Sequence, residues 1–341
     1  MMEPRMNTTL LSPMARDIVL AHVAKLALPM DEAGDADPGA AGDATGAADQ
    51  SGHPAKPTGA TDPIYAAALQ AARALGFIWA DAHCVARAWQ QQSQRRGQFN
   101  AADWPTDPAD FGHPPWPRLD AFAPCPKQLG LYAVLPDAAW VGRLARAGVP
   151  TLQLRFKSSD PSLVRAEVQA AVAAVQATPA RLFINDHWRE AINAGAYGVH
   201  LGQEDLDQIS EPDLQAIRAA GLRLGLSTHG YAEMQRADAL SPSYIAMGAV
   251  FATTLKAMAS VPQGVGRLGM YARLMRRHSL VAIGGIDAQR VDAVLATGVG
   301  AVGVVRALIT ADSPEQAAAA LGQRLSQRRK QRRKQRLKQR L

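Results

Sequence analysis

Residues 180–205, ARLFINDHWREAINAGAYGVHLGQED, hold two short apolar runs, each leading to an acid, with one brief helical pattern between them. Arg181 to Ile184 reads as a buried strand, and Trp188 to Asn193 spaces its apolar residues as a short helix does. Gly195 is placed to stop that helix, and Tyr197 to Leu201 begins a second strand. A strand, a helix and a strand joined this tightly make a right-handed parallel crossover, so both strands end on one rim. Asp186 and Asp205 then share that rim. Two carboxylates on adjacent loops suit a hard divalent cation, Mg²⁺ above all, which takes oxygen ligands and keeps positions open for substrate phosphates. For either acid alone, an N-cap or a solvated loop position accounts for the residue equally well.

Outward from this stretch the same alternation repeats. Apolar runs begin at Gly130 (GLYAVL), Thr151 (TLQLRF), Arg181 (RLFIN), Gly198 (GVHL), Leu222 (LRLGLS), Tyr244 (YIAMGAVF), Leu280 (LVAIGGI) and Ala301 (AVGVV). Between them lie amphipathic segments such as AAWVGRLARAG and SLVRAEVQAAVAAVQ, apolar at three- and four-residue intervals. Eight strands alternating with helices predict an α/β fold in which a parallel sheet closes into a (β/α)8 TIM barrel over 129–322, with a last outer helix at 314–326. The strands read as continuously apolar because both faces of such a sheet are covered.

In a barrel of this kind chemistry collects at the strand C-termini. The second run ends in Gln153, Arg155 and Lys157, alternating by two and so expected on one face. Cations pointing into a barrel mouth are costly unless an anion meets them, which favours diphosphate recognition. The third run ends in Asn185 and Asp186, and the fourth leads through His200 to Gln203, Glu204 and Asp205. His200 in an apolar strand reads first as a satisfied core histidine. Ser227, Thr228 and His229 end the fifth run with groups able to read a heterocycle edge. The sixth runs through Phe251 and Ala252 into Thr253, Thr254, Leu255 and Lys256 and a loop, AMASVPQG, long enough for a lid. Gly284 and Gly285 follow the seventh, and Val305 and Arg306 end the eighth, the usual barrel position for a phosphate monoester. Two anion sites on one rim are therefore expected.

The rest of the chain is less informative. At 341 residues and 48% hydrophobic content it can bury a full core, and no run approaches the roughly 18 apolar residues of a membrane span. The first residues lack the order of a secretion signal, and a cytoplasmic protein is expected. Residues 1–30 include ARDIVLAHVAKLAL, an amphipathic helix pattern with Ile18, Val19, His22, Val23 and Leu26 near one side. Residues 31–62 are rich in Ala, Gly, Asp and Pro and read as a disordered linker. Residues 63–128 read as a helical extension anchored by Trp79 and Trp89, followed by a Pro- and aromatic-rich stretch running extended across a surface. His83, Cys84, His113 and Cys125 match no metal-ligand spacing. The net charge is +7, but residues 324–341 carry ten basic residues and no acid, so the remainder stands at −3. A basic low-complexity tail over 323–341 reads as a solvated, partly helical charge run, with nucleic-acid adhesion the lesser alternative. Oligomeric state is not legible.

QLRFK at 153–157, FIND at 183–186, YGVHLGQEDL at 197–206, LGLSTH at 224–229, TTLK at 253–256 with MASVPQG after it, and VAIGGI at 281–286 resemble the thiamine phosphate synthase family. The resemblance covers roughly 129–320 and leaves residues 1–120 and the tail outside it. It implies a transferase joining 4-amino-5-hydroxymethyl-2-methylpyrimidine diphosphate to 4-methyl-5-(2-phosphoethyl)thiazole, or its carboxylated form, with release of diphosphate. Carried over by motif, Gln153, Leu154, Arg155, Phe156, Lys157, Asn185, Ser227 and Lys256 would hold the pyrimidine diphosphate. Asp186 and Asp205 would hold Mg²⁺. Thr253, Thr254, Leu255, Gly285, Val305 and Arg306 would hold the thiazole phosphate, and Arg155, Lys157 and Lys256 would act in catalysis. Leu255 stands where the commonest pattern has a second Thr, and Arg306 where it has a Ser. An electron-rich aminopyrimidine can expel diphosphate to leave a stabilised cation, so the need is for stabilisation of the leaving group. A thiazole tautomerase barrel would not require the QLRFK and paired-Asp apparatus. A barrel that only binds thiamine precursors would be expected to lack a metal ligand or Lys256.

Overall fold

A computed structural model describes residues 10–26, 62–253 and 261–338. The linker read at 31–62 lies almost wholly outside the described residues, as do Thr254, Leu255, Lys256 and the loop to residue 260. The chain divides into two compact units, Met1–Trp104 and Pro105–Leu341.

The first unit packs three helices, α1 (Pro13–Leu26), α2 (Pro63–Ala74) and α3 (Trp79–Arg96). Asp62 starts α2 by accepting the Ile64 and Tyr65 N–H groups, with Pro63 supplying a preset first turn. Gly97 in the left-handed conformation stops α3. Ile18, Val19, His22 and Leu26 of α1 are buried, and Val23 is half-buried. Trp89 is fully buried with Trp104 edge-on at 5.2 Å. Trp79, expected as a second anchor, is 59% exposed, with the Arg73 guanidinium over its ring. It stands at the first turn of α3, where the helix has only begun to bury a face.

The second unit is a closed barrel of eight parallel strands in sequence order, β1 joining β8. Its elements are β1 (Gly130–Leu135), α4 (Ala138–Arg146), β2 (Thr151–Leu154), α5 (Pro161–Val175), β3 (Arg181–Asn185), α6 (Trp188–Ala194) and β4 (Gly198–Leu201). There follow α7 (Gln203–Gln208), α8 (Glu211–Ala219), β5 (Arg223–Thr228), α9 (Tyr231–Ala239), β6 (Tyr244–Met247) and α10 (Gly264–Leu274). The last are β7 (Ser279–Ile283), α11 (Val291–Ala296), β8 (Ala301–Val304), α12 (Arg306–Ile309) and α13 (Pro314–Lys338). Every run read as a strand is one. Asp137 and Asp160 cap α4 and α5, and Gly195 at φ 67° ends α6. The outer helix α13 continues well past residue 326 into the basic run. Lacking an apolar face there, that part of the helix has nothing to bury.

The Pro- and aromatic-rich residues from 105 onward belong with the barrel. Phe111 stacks on Tyr231 of α9 at 5.3 Å, and the Phe122 N–H donates to the Ser241 carbonyl. Beneath this strap, Asp238 accepts from His278 Nε2 at 2.6 Å and lies 3.4 Å from His113 Nδ1. Burial opposes the charge on Asp238, but the His278 hydrogen bond and the nearby His113, His278 and Arg118 side chains win and hold its carboxyl below the ordinary range. Burial pushes the Cys84 and Cys125 thiols up to about 12, so neither is a ready nucleophile. Among the described residues no helix is long and apolar enough to cross a membrane.

Inward-facing positions alternate along each strand. They form a packed interior from Tyr132, Val134, Phe183, Tyr244, Ala246, Val281 and Ala301. Glycines make room for the aromatics: a Cβ on Gly198 would lie 2.6 Å from the Phe183 ring, and one on Gly225 would overlap the Tyr244 ring.

Candidate active site

At the C-terminal mouth, β3 closes on Asn185, which is buried, and the chain then turns left-handed at Asp186 with φ 63°. That conformation costs a non-glycine residue of order 1 kcal/mol, and Asp tolerates it better than most. The Asp186 N–H still donates to the His200 carbonyl of β4 at 3.0 Å, so the turn is made with the ladder intact. Lys157, in the loop after β2, brings Nζ to 2.5 Å from Asp186 Oδ2. Asp205, in the first turn of α7, accepts the Gly202 N–H at 2.7 Å and so caps its own helix. Burial pushes the Asp205 carboxyl up. The Gly202 bond pulls it down, Asp186, within hydrogen-bonding reach, raises it again, and Lys157 lowers it. Asp186, Asp205 and Lys157 therefore form one group, although they follow three different strands.

Among the described residues no three of His, Cys, Asp and Glu gather as a protein-only metal cage. The donor set present is two neighbouring carboxylates, with Asp186 raising the Asp205 carboxyl. This suits a small hard cation that completes its shell with water and substrate oxygens. Lys157 supplies positive charge beside them.

The other rim residues divide by what their side chains already do. β2 ends at Leu154, so Gln153 points inward, where its Nε2 donates to the Tyr132 hydroxyl at 3.3 Å, while buried Leu154 alternates to the helix side. Arg155 and Lys157 are exposed and Phe156 is half-buried, all three beyond the strand. The one-face alternation therefore holds only as far as Gln153, and Lys157 reaches Asp186 by the length of its side chain. Arg155 lies near enough to His200 for its charge to act on the ring. Of the three polar residues at and just beyond the end of β5, Thr228 donates to the Ala246 carbonyl and His229 is held by Glu233. Ser227 faces the mouth, its Oγ 2.8 Å from His200 Nε2. His200 has both ring nitrogens engaged, Nδ1 lying 2.6 Å from the Tyr244 hydroxyl, and burial brings its pKa down to about 4. Tyr132 and Tyr244 belong to this cluster and were not among the candidates read from sequence. Their signal is faint: a tyrosine in an apolar strand beside a strand with glycine at the matching inward position.

Opposite, Gly284 and Gly285 have φ of 104° and 62°. A Cβ on Gly285 would lie 2.6 Å from the Ala252 carbonyl oxygen, so the loop after β6 crosses directly over these glycines. Arg290 donates to the Gly285 carbonyl at 2.8 Å and covers the Phe251 ring. Val305 leaves β8 and exposed Arg306 opens α12 beside them. Thr253 is half-buried at the edge of the described loop.

Comparison with known proteins places the chain in a family. Residues 131–308 match the family model of thiamine monophosphate synthase. A thiamine-phosphate synthase of Neisseria gonorrhoeae is 54% identical over 194 residues, 57% of this chain and 93% of the relative. One of Photorhabdus laumondii is 52% identical over 200 residues, 59% of this chain and 91% of the relative. A thiamine phosphate pyrophosphorylase of Pyrococcus furiosus superposes with a TM-score of 0.51 at 23% identity, over 59% of this chain and 96% of that one, a likeness of fold. The chain is a transferase and belongs to the thiamine monophosphate synthase family.

Proposed function

We propose that the barrel mouth joins 4-amino-5-hydroxymethyl-2-methylpyrimidine diphosphate to 4-methyl-5-(2-phosphoethyl)thiazole or its 2-carboxylate, forming thiamine phosphate and diphosphate with the help of Mg²⁺. The observation that carries this reading is the meeting of Lys157, Asp186 and Asp205, which follow β2, β3 and β4, in one group. Bound by Asp186 and Asp205, Mg²⁺ would neutralise charge on the departing diphosphate. Arg155 and Lys157, exposed at the mouth, pair with its oxygens, and Lys256 is assigned the same role. As the bond between the pyrimidine methylene and the diphosphate oxygen breaks, its electron pair leaves with oxygen, and Arg155 and Lys157, with Mg²⁺ if bound by Asp186 and Asp205, would stabilise the charge that develops there. No strong base is needed, because the aminopyrimidine ring itself stabilises the methylene cation. The thiazole nitrogen then forms the new bond to that carbon. Gln153, Leu154, Phe156, Asn185 and Ser227 are assigned to the pyrimidine side. Thr253, Thr254, Leu255, Gly285, Val305 and Arg306 take the thiazole phosphate, the glycine and the start of α12 offering backbone amides.

The test is to mix purified protein, both phosphorylated heterocycles and Mg²⁺, and measure thiamine phosphate. Asp186→Asn and Lys157→Ala are each expected to lower turnover by roughly 100-fold or more, the scale of losing one preorganised charge at a leaving group. Absence of product, or a wild-type rate in Asp186→Asn, would overturn the proposal.

A further inference from the structure

A continuous line of hydrogen bonds crosses the barrel interior from one side of the mouth to the other. Gln153 Nε2 on β2 donates to the Tyr132 hydroxyl on β1 at 3.3 Å, and Tyr132 and Tyr244, on β1 and β6, are joined through their hydroxyls at 2.6 Å. The Tyr244 hydroxyl lies 2.6 Å from His200 Nδ1 on β4, and His200 Nε2 lies 2.8 Å from Ser227 Oγ on β5. Gln153, Tyr132, Tyr244 and His200 are all buried, and only Ser227 is partly open. Burying so many polar groups is unfavourable unless each finds a partner, and here each is the partner of the next. The line is also built for: Gly225 and Gly198 leave the space that the Tyr244 and Phe183 rings fill, and Phe183 packs edge-on against Tyr244 at 5.0 Å.

The chemistry of the groups gives the line a direction. An amide nitrogen donates and cannot accept, so the Tyr132 oxygen accepts from Gln153, and the buried Tyr132 hydrogen is satisfied by donating to the Tyr244 oxygen. Tyr244 then donates to His200 Nδ1. A neutral imidazole that accepts at Nδ1 carries its hydrogen at Nε2, which points at Ser227 Oγ. Ser227 thus accepts from inside the barrel and keeps its hydroxyl hydrogen to donate outward. At the other end Gln153 keeps its carbonyl oxygen as an acceptor.

We infer that Tyr132, Tyr244 and His200 are positioning residues that fix Ser227 as a hydrogen-bond donor and Gln153 as an acceptor on two sides of the mouth, so that Ser227 meets a ring nitrogen and Gln153 the amino group of the aminopyrimidine. This rests on the reading of the mouth as the pyrimidine diphosphate site. None of its five members is a residue assigned to the thiazole phosphate, so its influence should fall on one substrate.

The experiment is steady-state kinetics on Tyr244→Phe, Ser227→Ala and the double variant, with Tyr132→Phe as a second break in the line. Tyr244→Phe keeps the ring and removes one link. It is expected to raise KM for 4-amino-5-hydroxymethyl-2-methylpyrimidine diphosphate about tenfold, the scale of one well-placed hydrogen bond. KM for the thiazole phosphate should stay within about twofold. In the Ser227→Ala background the same change should add less than about twofold, because the residue it acts through is gone. Tyr132→Phe should shift KM in the same direction and for the same substrate. Multiplying losses in the double variant, or equal shifts in both KM values, would overturn the inference while leaving the reaction intact. A wild-type protein that makes no thiamine phosphate would defeat the reaction itself and the inference with it.

Discussion

Replacing Gly225 by alanine puts a methyl group where the Tyr244 ring lies, overlapping its Cε1, Cζ and hydroxyl positions. The ring has nowhere to go, with Phe183 at 5.0 Å, Tyr132 at 5.7 Å and His200 at 5.7 Å between centroids, and it is fully buried. Forcing one extra carbon into such packing costs roughly 1–3 kcal/mol. Any shift that relieves the overlap also stretches the two 2.6 Å hydrogen bonds of the Tyr244 hydroxyl, each worth about 1 kcal/mol net. The expected loss is therefore about 3–5 kcal/mol, or a melting temperature lower by about 10 °C for a domain of this size. Urea unfolding followed by circular dichroism measures it, for Gly225→Ala alone and on a Tyr244→Leu background. With the ring removed, the added methyl should cost less than about 1 kcal/mol. A Gly225→Ala protein within about 0.5 kcal/mol of the parent, or an equal cost on both backgrounds, would refute the account of why strand β5 carries glycine there.

Stability should also fall in mild acid because of His200. Its ring titrates at about 4 in the folded protein against 6.5 ordinarily. The unfolded chain thus gains a proton as pH drops through 6.5, while the folded chain does not until about 4. At about 1.4 kcal/mol for each pH unit between the two, roughly 3 kcal/mol is present above pH 6.5 and lost across that window. A His200→Asn variant should show a flatter urea midpoint between pH 7.5 and 5, and an unchanged slope would remove His200 as the cause. Deleting residues 1–104 should leave measurable thiamine phosphate formation, because relatives matched over 91–93% of their length align with only 57–59% of this chain. A truncated chain that is folded by circular dichroism yet inactive would show that the first unit contributes to the reaction.

The barrel was legible because its strands are covered on both faces, so GLYAVL, RLFIN and GVHL stand out as unbroken apolar runs between glycines and capped helices. Strand ends were harder to place. Arg155 still donates its N–H to the Leu135 carbonyl, yet β2 has stopped at Leu154, and neither fact is written in the alternation of TLQLRF. The acids Asp186 and Asp205 were accessible to sequence reasoning because one crossover carries both. Tyr132 and Tyr244 lie 112 residues apart and meet only when β1 and β6 come round to face one another, which no local pattern encodes. His200 is the instructive case: it reads as a satisfied core histidine, and it is one, but its partners are what join it to Ser227.

The left-handed turn at Asp186 carries a practical consequence. A glycine there would relax the backbone, so any effort to make this chain more heat-resistant by local sequence optimisation will find that substitution attractive. Accepting it would trade a small gain in robustness for the carboxylate that faces Lys157 and Asp205, so under the proposed reaction durability and turnover pull against each other at this position.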